Sequence, residues 1–286
     1  MLYGSKEFID DLITSVNKIE NENSFNMVFG STIGSISRGI ERFSSDYDVR
    51  FLYVDKSYRF LEKHDRHTEN RIRYRAFYES KAYNCIAFWE VSAFLNFLCE
   101  PYIDNDVQYK LVRNVLWTFT SPYRYDPYGI GNKILPILNK TINLECEMKH
   151  HYEILARFLD MERNSVSIPQ YLSAIHAYLS LKWLKNENSA PPMHIATLLT
   201  IADYELNNET HSVLKMNQKE NNKNIDNIRI SISNKTIEHI EDIVKTTRFR
   251  EINISGELKK NENYVNDMLD IIRYEFESEQ KVCSVK

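Results

Sequence analysis

Cysteine is scarce in this chain and never closely paired. Its four copies, Cys85, Cys99, Cys146 and Cys283, share no short spacing, so neither a disulfide framework nor a zinc site is suggested, and they read as reduced thiols. Long apolar runs are missing as well: no stretch reaches the roughly eighteen apolar residues of a membrane-spanning helix. The opening MLYGSKEFID brings acids early, without an apolar run of signal-peptide length, so cytoplasmic residence and no membrane partner are expected. An excess of positive charge is lacking too, with 36 Lys and Arg against 40 Asp and Glu for a formal charge of −4. That balance argues against a protein that coats nucleic acid through bulk electrostatics, and it leaves room for a local basic patch. No internal repeat is visible.

What remains is the composition of a soluble globular protein, 43% hydrophobic, 12% aromatic and 27% charged over 286 residues, long enough for two domains. From Ser5 to Ile19 the apolar residues Phe8, Ile9, Leu12, Ile13, Val16 and Ile19 recur at three- and four-residue steps, which predicts an amphipathic helix. The apolar run Phe25 to Phe29, closed by Gly30, predicts a strand, and so does YDVRFLYV from Tyr47 to Val54. Between them STIGSISRGIERFSSD has room for a short helix and a loop. A further strand is predicted at Tyr83 to Trp89, then a helix through Phe97. Beyond about residue 120 helical periodicity takes over, at Ile134 to Asp160, Ile168 to Trp183, Lys235 to Lys245 and Asn261 to Glu277. The polar, Asn-rich stretch Leu206 to Lys235 is expected to contain a loop. Turn residues in SPYRYDPYG, Ser121 to Tyr128, place a boundary there, giving domains 1–120 and 121–286.

Chemistry concentrates in VFGSTIGSISRGIERFSSDYDVRFLYV, residues 28 to 54. A strand that ends in Gly30-Ser31 at a helix start would let backbone N–H groups and a hydroxyl approach phosphate oxygens without Cβ interference. Asp46 and Asp48 stand two apart at a strand mouth, so the pleat puts both carboxylates on one face, where they could share divalent cations. Either feature alone is commonly a plain turn or a solvated strand edge; the spacing of fifteen residues from Ser31 to Asp46 between two strands makes the pair specific.

That run resembles the Gly-Ser and Asp-x-Asp signature of the polymerase-beta-like nucleotidyltransferase superfamily, and within it the YcgL-like, or RlaP, family of predicted nucleotidyltransferases. YLSAIHAYLSLKWLKNENSAPPMHIATLL, from Tyr171 to Leu199, is similar to that family's later segment through Trp183, Pro191, Pro192 and Met193. The resemblance implies an α+β fold, a mixed-sheet nucleotidyltransferase domain followed by an all-helical domain that closes the cleft. It implies transfer of a nucleoside monophosphate from a nucleoside triphosphate, ATP or another, to an acceptor hydroxyl on RNA, in processing or repair. Gly30 and Ser31 would hold the triphosphate, with Arg38 reaching a phosphate or standing exposed on a short helix. Asp46 and Asp48 would be the catalytic carboxylates and would bind Mg2+ or Mn2+.

The same resemblance expects a third carboxylate four residues before a Trp on a later strand; before Trp89 that place holds Cys85, whose thiol is a poor magnesium ligand. Glu79 or Glu90 could substitute, although Glu90 reads more naturally as the opening of the next helix. A degenerate nucleotide- or RNA-binding module and a modifier that nucleotidylates a protein therefore remain open beside the enzyme. Arg59 to Tyr78, rich in Arg and aromatics, reads equally as a nucleic-acid channel or a charged hairpin. The histidine pairs His64 with His67 and His150 with His151 read as structural or solvated. Tyr171, Tyr178, Leu179 and Trp183 read as core, while Lys182 and Arg157 could touch a triphosphate.

Overall fold

A computed structural model describes residues 6–23, 25–42, 45–55, 83–99, 115–141, 143–161, 166–219, 228–248 and 254–284. The basic stretch Arg59 to Tyr78, with His64, His67 and Glu79, lies outside them. The chain divides into two compact units, one of residues Met1–Gly34, Asp46–Thr141 and Asn253–Lys286, the other of Ser35–Ser45 and Ile142–Ile252. No described helix is long and apolar enough to cross a membrane.

The first unit is built on a four-stranded mixed sheet of order β3-β2-β1-β4. Strand β1 (Phe25–Ile33) pairs antiparallel with β2 (Tyr47–Asp55) and with the short β4 (Arg124–Tyr125), while β3 (Tyr83–Glu90) runs parallel to β2. Alternation along β2 splits its side chains between two faces. Val49, Phe51 and Tyr53 join Phe25, Met27, Ile86 and Phe88 in an apolar layer under Leu12 and Val16 of helix α1 (Lys6–Asn23). This is the helix the apolar periodicity predicts. On the opposite face Phe29 meets Phe119 of helix α4 (115–120), ring centroids 4.8 Å apart. Gly131 of α5 (Ile130–Thr141) lies against the same Phe29 ring, where a Cβ would come within 2.8 Å.

Helix α11 (Ile254–Ser284) belongs to this unit. Its Val265, Met268, Ile272 and Phe276 are buried at helical spacing, and Phe276 meets the Tyr128 ring edge-on at 5.6 Å. Asn261 at 5% exposure donates through Nδ2 to the carbonyls of Leu98 (2.7 Å) and Thr141 (3.4 Å).

The second unit packs α6 (Leu144–Leu159), α7 (Ile168–Glu187), α8 (Ile195–Leu198), α9 (Tyr204–Lys219) and α10 (Asn234–Thr246) around a core centred on α7. A capping box between Ser167 and Gln170 starts α7. The apolar period over Ile134 to Asp160 resolves into two helices, because the Asn143 side chain accepts from the Cys146 N–H at 3.0 Å and begins a new one. Helix α9 occupies the front half of the stretch expected to contain a loop. Leu206, Thr210, Val213 and Leu214 form a buried stripe there that Asn217 continues, while Glu205, Asn208 and Lys215, which help hide it in the sequence, are exposed. Tyr171 and Leu179 are fully buried and Tyr178 nearly so, as a core reading requires.

Helix α2 (Gly34–Arg38) starts in the first unit and ends in the second. The residues that follow it are tied down within the second. Asn217, 1% exposed, donates to the carbonyls of Ile40 (3.0 Å) and Glu41 (3.2 Å). Gly39, with φ of 68°, lies so close to the His194 ring that a Cβ would meet its Nε2 at 2.5 Å.

Because the buried Asn261 amide donates to two carbonyls, Asn261→Ala should destabilise the protein by about 1–3 kcal/mol. The measurement is urea unfolding, read as a lower midpoint at unchanged slope.

Candidate active site

Strand β1 does not stop at Gly30. It continues to Ile33, so Gly30 and Ser31 lie inside the strand, paired with Phe51 and Arg50 on one side and with Tyr125 and Arg124 on the other. The pairing partners on β4 come from a turn-rich segment more than ninety residues away in sequence, which is why the run looks shorter when read locally. Gly30 has a packing reason of its own: the Phe51 ring covers it, and a Cβ would fall 2.5 Å from that ring. The Ser31 hydroxyl is fully buried and makes no hydrogen bond.

The turn that follows β1 is made by Gly34, with φ of 78°. Register sets Ile33 opposite Asp48, and the Asp48 carboxylate lies against Gly34, where a Cβ would stand 2.9 Å from Oδ2. Glycine at this position is required twice, by the left-handed backbone and by the approach of the carboxylate. Asp46 is exposed just ahead of β2, and Asp48 is half-buried in its second position. Burial raises the Asp48 pKa above the ordinary carboxylate value, the neighbouring Asp46 charge raises it further, and Arg50 opposes both. The two carboxylates thus interact at one end of the sheet. Arg38 is half-buried at the end of α2 and belongs to the other compact unit.

Arg50 escapes a motif search because it sits inside a strand, yet it follows Asp48 by two residues and shares its face. It is 7% exposed, donates through Nη1 to the Thr118 hydroxyl at 2.9 Å, and lies over the Phe94 ring at 5.5 Å. Ser31 is the register partner of both Arg50 and Arg124. A row running Arg50, Ser31, Arg124 therefore crosses the sheet on the carboxylate face. Alternation after the Asp-x-Asp motif is a signal that finds Arg50. Nothing in the sequence foretells that Arg124 joins it.

On β3, the residue paired with Asp48 is Cys85. Glu90 lies five residues further along that strand, about 16 Å away at about 3.3 Å per residue. It is buried and committed: its carboxylate accepts from Ser92 N (3.0 Å), Ala93 N (2.7 Å) and Ser92 Oγ (2.5 Å), capping helix α3 (Val91–Leu95). Glu90 is therefore the opening of a helix. Among the described residues no group of three or more His, Cys, Asp or Glu side chains is assembled to hold a metal ion. Asp46 and Asp48 nonetheless supply hard anionic oxygens suited to Mg2+ or Mn2+, and a cation there would relieve both the burial of Asp48 and its repulsion by Asp46.

Of the remaining residues singled out from the sequence, Lys182 and His151 have local partners. Lys182 donates to the Ile201 carbonyl at 2.9 Å, and Arg157 is exposed on α6. His151 is buried beside Glu147, Nε2 to Oε2 3.7 Å, and its ring meets that of His150 edge-on.

Two outcomes test this geometry. A carboxyl whose folded pKa is raised costs stability as pH climbs from the unfolded value, 3.8 for Asp48, through the folded value, and the full cost is present above both. Asp48→Asn removes that cost, so in the absence of metal the variant should melt higher than wild type at pH 7, on the order of 2 °C, with the difference vanishing in acid. Glu90→Gln should lower stability by about 1 kcal/mol through the weakened cap and leave any metal-induced rise in Tm unchanged, as scanning calorimetry with and without Mg2+ would show.

Residues 9–99 match the model of the RlaP family, described as an RNA repair pathway DNA polymerase beta family. The "Uncharacterized protein YcgL" of Bacillus subtilis (strain 168) is 21% identical over 249 residues, covering 83% of this chain and 87% of that protein. The family match spans Gly30, Ser31, Gly34, Asp46, Asp48 and Cys85, and with them β1, β2 and β3; over these residues the chain is similar to the RlaP family and over most of its length to YcgL, and its fold is α+β, a mixed-sheet part consistent with a polymerase-beta-like domain and a mostly helical remainder.

Proposed function

We propose that this protein is a metal-dependent nucleotidyltransferase that moves a nucleoside monophosphate from a nucleoside triphosphate to a hydroxyl of RNA. The observation that carries the reading is the meeting of Asp48, Asp46 and the Gly34 turn at one end of a sheet within the family-matched residues. The family description, an RNA repair pathway, favours RNA over a protein as acceptor.

In this reading Asp46 and Asp48 hold Mg2+ or Mn2+, which when bound neutralises triphosphate charge and polarises the reacting phosphoryl group. Gly34 keeps the space beside Asp48 free of any side chain. Ser31, buried without a partner, offers a hydroxyl to a phosphate oxygen, and Arg50 adds a fixed positive charge on the same face. Arg38 is assigned to the triphosphate on the motif alone. The acceptor oxygen forms a bond to the α-phosphorus as the bond to the β-phosphate oxygen breaks. Pyrophosphate leaves with the bonding electrons, and the proton of the hydroxyl passes to water. Positioning and charge stabilisation do most of the work in such a transfer.

A second reading is favoured by one observation, the pairing of Cys85 with Asp48 on β3. With no acid at that place the protein would bind nucleotide without turnover.

Purified protein incubated with each α-labelled nucleoside triphosphate, Mg2+ or Mn2+, and an RNA pool separates the two. Label should appear on RNA with wild type and fall at least about a hundredfold, on the order of 3 kcal/mol in the barrier, with the double variant Asp46→Asn, Asp48→Asn. Label on protein would move the acceptor class. Metal-dependent nucleotide binding without transfer would establish the binding module.

A further inference from the structure

We infer that Asn217 and His194 of the second unit are positioning residues for the nucleoside triphosphate: they fix the connection that leaves the Gly34 turn and returns at Asp46. The inference rests on the nucleotidyltransferase reading above. It names side chains outside the Gly-Ser and Asp-x-Asp motifs on which nucleotide affinity depends.

The connection joins two parts of the candidate site directly. Ser35 follows Gly34 and Ser45 precedes Asp46, yet Ser35–Ser45 packs within the second unit. Its ends are tied to each other. The Ser35 hydroxyl donates to the Ser45 hydroxyl at 3.1 Å, and Ser45 Oγ accepts from the Arg42 N–H at 2.8 Å. The Ser45 N–H donates back to the Arg42 carbonyl at 3.0 Å. A displacement of the middle of this closed connection is therefore passed to Arg38 within it and to the residues that flank it, Gly34 and Asp46.

The middle is held by the helices. Asn217 on α9 is 1% exposed, and its Nδ2 donates to the carbonyls of Ile40 at 3.0 Å and Glu41 at 3.2 Å. Its Oδ1 is buried and makes no hydrogen bond. Burying an amide with one end unsatisfied costs stability, and the bonds to the connection are what offset that cost here. Ile40 packs against the apolar core around α7. The N–H groups of Gly39 and Ile40 close α2 on the carbonyls of Ile36 and Ser35, at 2.9 and 3.1 Å. Gly39, with φ of 68°, sets its Cα against the His194 ring.

That ring is itself fixed. Its Nδ1 accepts from the Ala196 N–H at 3.2 Å as the cap of α8. The carbonyl just before it, that of Met193, accepts from Nε2 of the buried His176 on α7 at 2.7 Å. His194 thus does two separable things: one nitrogen starts α8, and the opposite edge backs the connection. A loop held in place before a ligand arrives spares that ligand the cost of ordering it. Once freed, the connection must be ordered on binding, and affinity falls.

Hydrogen exchange and calorimetric titration on the full chain test this. His194→Asn keeps a capping side chain for α8 and removes the ring from Gly39, while Asn217→Ala removes the donor to Ile40 and Glu41. Each variant should speed exchange of the Gly39 and Ile40 amides. Each should also weaken binding of the α,β-methylene analogues of ATP, GTP, CTP and UTP, titrated in turn with Mg2+ or Mn2+, by about tenfold, the cost of ordering about one residue. Ser167→Ala, which weakens the capping box of α7 in the same unit, is the control and should lower Tm with affinity unchanged. An equal loss of affinity in Ser167→Ala would overturn the inference by showing a general loosening. Faster exchange in the first two variants with unchanged affinity would overturn the positioning role and leave the enzyme reading standing. Unchanged exchange in the same two variants, folded, would overturn the anchoring. No analogue binding by wild type would sink the nucleotidyltransferase reading together with the inference that rests on it.

Discussion

The antiparallel register of β1 on β2 is the constraint from which the rest of the sheet unit follows. With Gly30 opposite Phe51, Ser31 opposite Arg50 and Ile33 opposite Asp48, one face gathers apolar side chains for α1 and the other gathers the polar row and the carboxylates. A slip of one residue would exchange the faces, taking Val49 and Phe51 away from α1 while pressing Asp48 into the apolar layer. Gly30 helps prevent that slip. The Phe51 ring covers its Cα, and the same ring stacks on Phe88 at 5.7 Å on the neighbouring strand. No other residue of β1 leaves such room.

Held in that register, the site combines groups that do not favour one another in an empty protein. Asp48 is partly withdrawn from water and faces a like charge. The Ser31 hydroxyl is sealed off from solvent and from partners. Such arrangements cost stability and persist where surrounding structure over-determines them. Here the determinants are apolar: Phe25, Phe51, Phe88 and Val49 below the sheet, Phe29, Phe94 and Phe119 above it.

Much of this is readable in the sequence wherever cause and effect are neighbours along the chain. Alternation in YDVRFLYV gives β2 and puts Asp48 and Arg50 on one face, periodicity in the first twenty residues gives α1, and a carboxylate ahead of a short apolar run gives the Glu90 cap. The illegible parts depend on distant partners. Strand β1 extends through Ser31 because β4 pairs with it from across the chain. Gly34 becomes the turn because β1 is longer than its apolar run suggests. Helix α9 is hidden by its own solvated face, and its buried stripe is sparse enough that polar composition dominates a local reading. The third carboxylate position is different again: only the family resemblance assigns that place to Cys85, and the parallel register of β3 pairs Cys85 with Asp48.

Helix α11 gives the sheet unit a temporal property. Asn261, Val265, Met268, Ile272 and Phe276 close a unit whose strands lie near the other end of the chain, whereas the second unit draws on nothing beyond residue 252. During synthesis, which proceeds from the amino terminus, the helical unit has all of its residues out of the ribosome while the carboxylate-bearing sheet still waits for its last helix. The part read as catalytic is thus the last to be completed, and its nascent strands must stay apart from other chains until α11 has been made.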